Sequence, residues 1–176
     1  MLEGETVNLR IVEREDLPQI LEWFNNPEFS GRYDPLDALQ SMTEIEKKYD
    51  ELSPEEKWFI IEKKDGCKVG FIGHFTSGRL FEIGYSLVPS ERGKGYCTEA
   101  VKIMVDYLFL SKDIVRIQAG TNVENKASQK VLEKAGFKRE GIMRKGLFVR
   151  GTWVDVCMYS ILREEWKEPK MLTNVV

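Results

Sequence analysis

Arg92, Gly93, Lys94 and Gly95 stand where an alternating apolar run, Leu80 to Leu87, gives way to a helical pattern. Two cations and two glycines at such a junction are suited to holding an anion. Glycine lets the chain turn tightly and approach a ligand with no Cβ in the way. The free N–H groups of a helix's first turn then face the anion, assisted by the helix dipole. Two familiar phosphate motifs fail here. A Walker loop needs Lys-Ser or Lys-Thr after its last glycine, and Gly95 is followed by Tyr96 and Cys97. A dinucleotide fingerprint needs a third glycine where Thr98 stands. What remains is Arg-Gly-Lys-Gly-Tyr-Cys opening a helix, read as a phosphate grip against the plainer alternative of a βα turn with solvated cations.

Other residues with chemical capacity lie on either side. Along Leu80–Leu87, Phe81, Ile83, Tyr85 and Leu87 share one face, while Glu82, Gly84 and Ser86 share the other. A carboxylate beside two small residues could line a narrow slot and act as a general base. His74 is a second candidate base, although a histidine among apolar residues is more often structural. It is the single histidine of the chain, which excludes a multi-histidine metal site. Asn125 begins a helical pattern and reads as its N-cap, with Asn122 competing for the role. Ser128 follows one turn later and shares a helix face with Asn125 and Leu132.

The elements that must carry these residues are legible in outline. Val7 to Val12 alternates as a strand. A helix capped by Asp16 follows, with Leu17, Ile20, Leu21 and Phe24 at helical spacing. Residues 25–40 read mostly as loop, and Met42 to Glu51 as a second helix. Trp58 to Glu62, Val69 to Phe75 and Leu80 to Leu87 read as an antiparallel meander. A deeply buried helix from Thr98 to Leu110 comes next, then a strand at Ile114 to Ala119. A helix at Asn125 to Ala135 leads to strands at Phe137 to Met143, Leu147 to Val149 and Trp153 to Ile161. Gly136 with Phe137 packing back reads as a helix-terminating motif. The crossover helices in the middle imply parallel pairing there. The fold class is therefore mixed α/β, with helices on both faces of one sheet.

A chain of 176 residues is expected to form one domain, here 1–165, with a loose polar tail at 166–176. A net charge of −3 gives no basic field for nucleic acid. No apolar run approaches the length of a membrane span, and the N-terminus lacks a signal pattern. Cys67, Cys97 and Cys157 form neither a CxxC pair nor a disulfide framework, which fits a reducing compartment and a cytoplasmic protein.

Four segments together resemble the GNAT superfamily of acetyl-CoA-dependent N-acetyltransferases. Arg92, Gly95 and Cys97 are similar to its R/Q-x-x-G-x-G/A signature, with Cys97 where glycine or alanine is usual. Residues 122–137 (NVENKASQKVLEKAGF) resemble its N-x-x-S-x-x-x-L-E-K-x-G-F segment. LRIVEREDL resembles the first strand and helix, and GTWVDVCMYSI the closing strand of the ribosomal-protein alanine acetyltransferase (RimJ/RimL) branch.

The resemblance implies a mostly antiparallel sheet of about six or seven strands. It also implies a parallel central pair that splays between the fourth and fifth strands. Acetyl-CoA would be the donor, with its diphosphate on Arg92, Gly93, Lys94, Gly95, Tyr96, Cys97 and Thr98. Its pantetheine arm would meet the main chain of Ser86, Leu87 and Val88, and Asn122, Asn125 and Ser128 would lie near the thioester. Many family members carry a tyrosine where Leu132 stands, and it protonates the departing thiolate. The branch offers a serine instead, matching Ser128. The base is expected at Glu82, with His74 or a water relay as alternatives, and a main-chain N–H near Leu87 or Val88 would serve the thioester oxygen. The acceptor groove maps to Trp23–Leu36 and about Arg144–Trp153, with Asp34 and Asp37 among its acids. A protein N-terminal α-amine is the expected acceptor. Polyamine acetylation and a non-catalytic acyl-CoA-binding domain are the alternatives, and a homodimer remains open.

Overall fold

Lys57–Lys63 shows why one sheet carries helices on two sides. Trp58 and Ile60 point to one apolar cluster, and Phe59 and Ile61 to the other. A strand buried on both faces needs cover on both faces. A computed structural model describes residues 1–35, 39–78 and 80–172 of the protein. Leu36 and Asp37, expected in the acceptor groove, lie outside the described residues.

The strands are β1 (Leu2–Glu3), β2 (Val7–Ile11), β3 (Lys57–Lys63), β4 (Lys68–Ser77), β5 (Leu80–Leu87), β6 (Arg116–Asn122), β7 (Lys138–Val149) and β8 (Thr152–Leu162). They form one sheet in the order β1-β2-β3-β4-β5-β6-β8-β7. All neighbours are antiparallel except β5 and β6. The sheet has eight strands, more than expected. The short β1 pairs with β2, and the two segments expected before the last hairpin form one strand, β7, with register shifts after Arg139 and Met143. The chain of crossovers also differs from expectation. β6 and β7 are not neighbours, because β8 inserts between them antiparallel to both.

The helices are α1 (Leu17–Phe24), α2 (Pro27–Ser30), α3 (Met42–Asp50), α4 (Tyr96–Ser111), α5 (Lys126–Lys134) and α6 (Arg163–Trp166). α1 and α3 cover one face through Leu17, Ile20, Trp23 and Ile45. α4 covers the other, and Ala100, Val101, Ile103, Met104 and Leu108 on it are fully buried. Ser41 and Glu44 form a reciprocal capping box at the start of α3. α2 is a single turn inside the expected 25–40 loop, capped by Asn26 Oδ1, which accepts from Glu28 N–H at 2.9 Å.

Asp16 does not cap α1 through its side chain. Its buried carboxylate accepts from Arg10 at 2.8 and 2.9 Å and from Lys68 at 2.8 Å. A capping bond leaves one carboxylate charge unpaired in a buried place, whereas two cations balance it. These partners hold its carboxyl well below the usual carboxylate range, led by the Arg10 hydrogen bond.

The segment after Glu164 is not loose where it is described. Asp106, buried on α4, accepts from Trp166 Nε1 at 2.7 Å and from the main-chain N–H groups of Lys170, Met171 and Leu172 at 2.6 to 3.0 Å. No described helix is long and apolar enough to cross a membrane.

Candidate active site

β5 and β6 pair in parallel only at Phe81–Ile117 and Glu82–Gln118, and then separate. Val88 N–H donates to Val69 O at 2.9 Å, so even-numbered residues of β5 turn their main-chain groups toward β4. Tyr85 and Leu87 turn theirs into the opening. Leu87 O accepts from Arg92 Nε at 3.1 Å, and the N–H groups of Tyr85 and Leu87 stay available. Ser86 and Val88 are turned the other way. Their amides face β4, and Ser86 Oγ donates to Phe29 O at 2.6 Å.

The opening continues into a cavity of about 880 Å³. One wall is the β5 edge, and the other is Ala119 to Thr121 with Asn125 and Ser128. The segment Gly31 to Asp34 lies across it, and Gly93, Cys97 and Arg150 also line it.

At the mouth of α4 the chain holds a row of unpartnered amides. Arg92 N–H bonds to Pro89 O, and Glu99 N–H bonds to Gly95 O. Between them, no acceptor among the described residues takes the N–H groups of 93 to 98. Gly93 (φ 78°) and Gly95 (φ 92°) are both left-handed, and a Cβ at either would meet nothing within 4 Å. Glycine is required there by the backbone and not by crowding. The two charged side chains have partners within the protein. Arg92 Nη2 donates to Glu28 O at 2.7 Å and Phe29 O at 2.8 Å, so its guanidinium ties α2 to the end of β5. Lys94 Nζ pairs with Glu91 at 3.1 Å on the surface. Tyr96 opens α4 and packs against the core, and Thr98 borders a separate pocket with Gly95. Burial pushes the Cys97 thiol up to about 12, which keeps it a neutral wall and not a nucleophile.

Asn125 caps α5, its Oδ1 accepting from Ser128 N–H at 3.1 Å, and it also lines the cavity. Asn122 does not line it. Its Nδ2 donates to Tyr33 O at 3.3 Å and its Oδ1 accepts from Glu124 N–H at 2.9 Å, fixing the turn into α5. Ser128 Oγ lies 2.9 Å from the Tyr85 hydroxyl inside the cavity. Burial, and then the neighbouring Cys97, hold the Tyr85 phenol above its ordinary range, so it remains protonated.

The expected bases fare differently. Glu82 lies outside the cavity lining, where the strands still pair, and accepts from Gln118 Nε2 at 3.3 Å. His74 is fully buried between Phe59, Phe81 and Tyr107, with neither ring nitrogen partnered. Burial pushes its imidazole down to about 4. Two carboxylates do line the cavity, Glu28 and Asp34, and Asp34 is pushed up to about 6 by burial against the pull of the Arg92 guanidinium.

Tyr85 was not singled out from the sequence for this place, because it follows the strand's apolar period and reads as core. Asp34 and Arg150 fall within the two segments expected to build the acceptor groove, Asp34 among the acids of the first and Arg150 in the late hairpin.

Residues 6–138 match the family model described as the acetyltransferase (GNAT) domain. The chain belongs to the GNAT acetyltransferase family. It is an acetyl-CoA-dependent N-acetyltransferase. It is 33% identical to a probable N-acetyltransferase, YjcK, of Bacillus subtilis, across 94% of this chain and 98% of that one. Among solved structures it is similar to the spermidine N-acetyltransferase of Vibrio cholerae in complex with CoA and spermine. That match has a TM-score of 0.83 and 25% identity, covering 93% of this chain and 99% of that one. It is also similar to Mycobacterium smegmatis RimJ in complex with CoA-disulfide, with a TM-score of 0.78, 27% identity, and coverage of 96% and 86%.

Proposed function

We propose that this acetyltransferase acts on the α-amine of a polypeptide. The observation that carries the reading is the charge around the cavity. Asp34 and Glu28 line it against Arg32, Arg92 and Arg150. One ammonium group finds a carboxylate there, whereas the further ammonium groups of a polyamine would face guanidinium groups at close range. A peptide brings one ammonium and then carbonyls, which those arginines can accommodate.

The unpartnered amides of 93–98 fit a diphosphate, and the Tyr85 and Leu87 edge fits the amide groups of an extended pantetheine arm. Bound there, acetyl-CoA supplies an activated acyl carbon and a thiolate leaving group. Asp34, ionised above about pH 6, is placed to take a proton from the incoming ammonium, since an amine attacks only when neutral. Glu82 sits too near the closed end of the strands to share that task directly. Ser128 donates toward the leaving sulfur, which as a thiolate needs only a weak acid.

A specific observation favours a polyamine instead: the likeness to the Vibrio cholerae enzyme crystallised with spermine. One experiment separates the two. The purified protein is incubated with acetyl-CoA and a panel of peptides, spermidine and spermine, and products are read by mass. Acetylated peptide N-termini support the proposal. Acetylated polyamines with untouched peptides overturn it. CoA binding without turnover of any amine would point to a non-catalytic domain.

A further inference from the structure

The Tyr85 hydroxyl and Ser128 Oγ share one hydrogen bond, and its polarity decides what Ser128 can do. Two arrangements satisfy the atoms. Tyr85 can donate to Ser128 Oγ at 2.9 Å, or it can donate to Ser128 O at 3.4 Å and accept from the serine. The first contact is of ordinary length and the second lies at the edge of a hydrogen bond. Ser128 Oγ has no other protein partner among the described residues, and helical serines otherwise tend to bond back along the helix. Both residues line the same cavity.

We propose that Tyr85 is a positioning residue: by donating to Ser128 Oγ it turns the serine's own hydrogen into the cleft, toward the sulfur that departs. The inference rests on the acetyl-transfer reading above. The arrangement supplies from β5 what Leu132 on α5 does not offer, since Leu132 is 1% exposed and has no hydroxyl. The step balances without another reagent. The carbon–nitrogen bond forms, and the carbon–sulfur bond breaks with its electron pair left on sulfur. Ser128 passes its proton to sulfur and recovers one from water in the cleft. The nitrogen gives up two protons through Asp34 to solvent, one as the ammonium before attack and one after the carbon–nitrogen bond has formed; one offsets the proton delivered to sulfur and the other is released. Tyr85 keeps its proton throughout, in keeping with its burial.

Tyr85→Phe removes the hydroxyl and little else. Its kcat is expected to fall about tenfold, the loss of one oriented hydrogen bond. The KM for acetyl-CoA and the Kd for CoA, measured by calorimetry, should stay within about twofold. Ser128→Ala should fall by at least as much, and the double variant should be no slower than Ser128→Ala alone, because the two act as one unit. A readout independent of turnover is the ring resonance of Tyr85 in protein carrying ¹³C-labelled tyrosine, assigned by its loss in Tyr85→Phe. It should hold the protonated position to at least pH 9 and shift when Ser128 becomes alanine.

An unchanged kcat in Tyr85→Phe overturns the proposal. So do losses that multiply in the double variant, or a fall in CoA affinity that matches the fall in rate. Wild-type protein that turns over no amine would defeat the acetyl-transfer reading itself, and that control is run first. Normal wild-type turnover with an indifferent Tyr85→Phe defeats only the assignment of Tyr85.

Discussion

Arg92 and Arg150 close on the same single turn of helix. Arg92 Nη2 donates to Glu28 O and Phe29 O, and Arg150 Nη2 donates to Pro27 O at 3.2 Å and Gly31 O at 3.1 Å. Together they take four carbonyls of α2 and its end; Pro27 O also accepts from Gly31 N–H at 3.0 Å, and the other three lie at the helix end, where no further turn supplies a donor. The signature loop and the last hairpin thus hold the 27–31 wall of the cavity between them.

The two arginines are separable by experiment. Arg150→Ala frees the α2 turn from the hairpin and leaves the amides of 93–98 untouched. Its amine KM is expected to rise about three- to tenfold, with CoA affinity unchanged, one or two hydrogen bonds being lost. Arg92→Glu places a carboxylate beside the row of N–H groups and should weaken CoA binding by more than tenfold. Steady-state kinetics and calorimetry on both variants check the pair. Equal effects on both substrates in each variant would contradict the division.

Gly95→Ala tests the cradle through the backbone. A left-handed alanine costs about 1 kcal/mol, and space is not limiting because a Cβ there meets nothing within 4 Å. The expected result is a modest fall in Tm and at least a tenfold loss in CoA affinity, since the amides on either side lose their shared direction. A Tm loss with full CoA affinity would mean that the glycine serves the fold alone.

Asp34 predicts a pH dependence with a definite sign. Its carboxyl is pushed up to about 6, and only its ionised form accepts a proton. The kcat/KM for the amine should therefore rise with pH through about 6, then rise again as the amine itself loses its proton. Asp34→Asn should remove the first rise and lower the plateau by at least tenfold. A pH–rate profile in which the rise near 6 persists in the variant would assign that titration to another group.

His74 makes a prediction about stability and not activity. Its folded pKa, about 4, lies below the ordinary 6.5, so between those values the unfolded chain binds a proton that the folded chain refuses. Stability falls as pH drops from 6.5 toward 4, and the full cost, about 3 kcal/mol, is reached below 4. Lys112 and Lys57 add to the depression and Glu56 opposes it. His74→Phe should flatten the Tm profile between pH 7 and 5, measured by calorimetry.

Much of the fold could be read in advance because its signals are periodic. Trp58–Glu62 and Leu80–Leu87 show strand alternation, and the apolar circumference of α4 announces burial. The left-handed turn into α4 was legible because glycines before a helix have few other uses. What stayed hidden depends on contacts distant in sequence. Asp16 sits where a cap belongs, and only the fold brings Lys68 to it. Glu82 alternates onto a promising face, yet the length of the β5–β6 pairing decides whether it reaches the cavity. Tyr85 obeys an apolar period, and nothing local says that its hydroxyl meets Ser128.

The clasp on Asp106 bears on how the chain is made. Its partners lie 60 to 66 residues further on. A nascent chain emerging from the ribosome therefore carries α4 with an unanswered charge in its apolar flank until Trp166 to Leu172 clear the exit. Completion of the core waits until that stretch has been made.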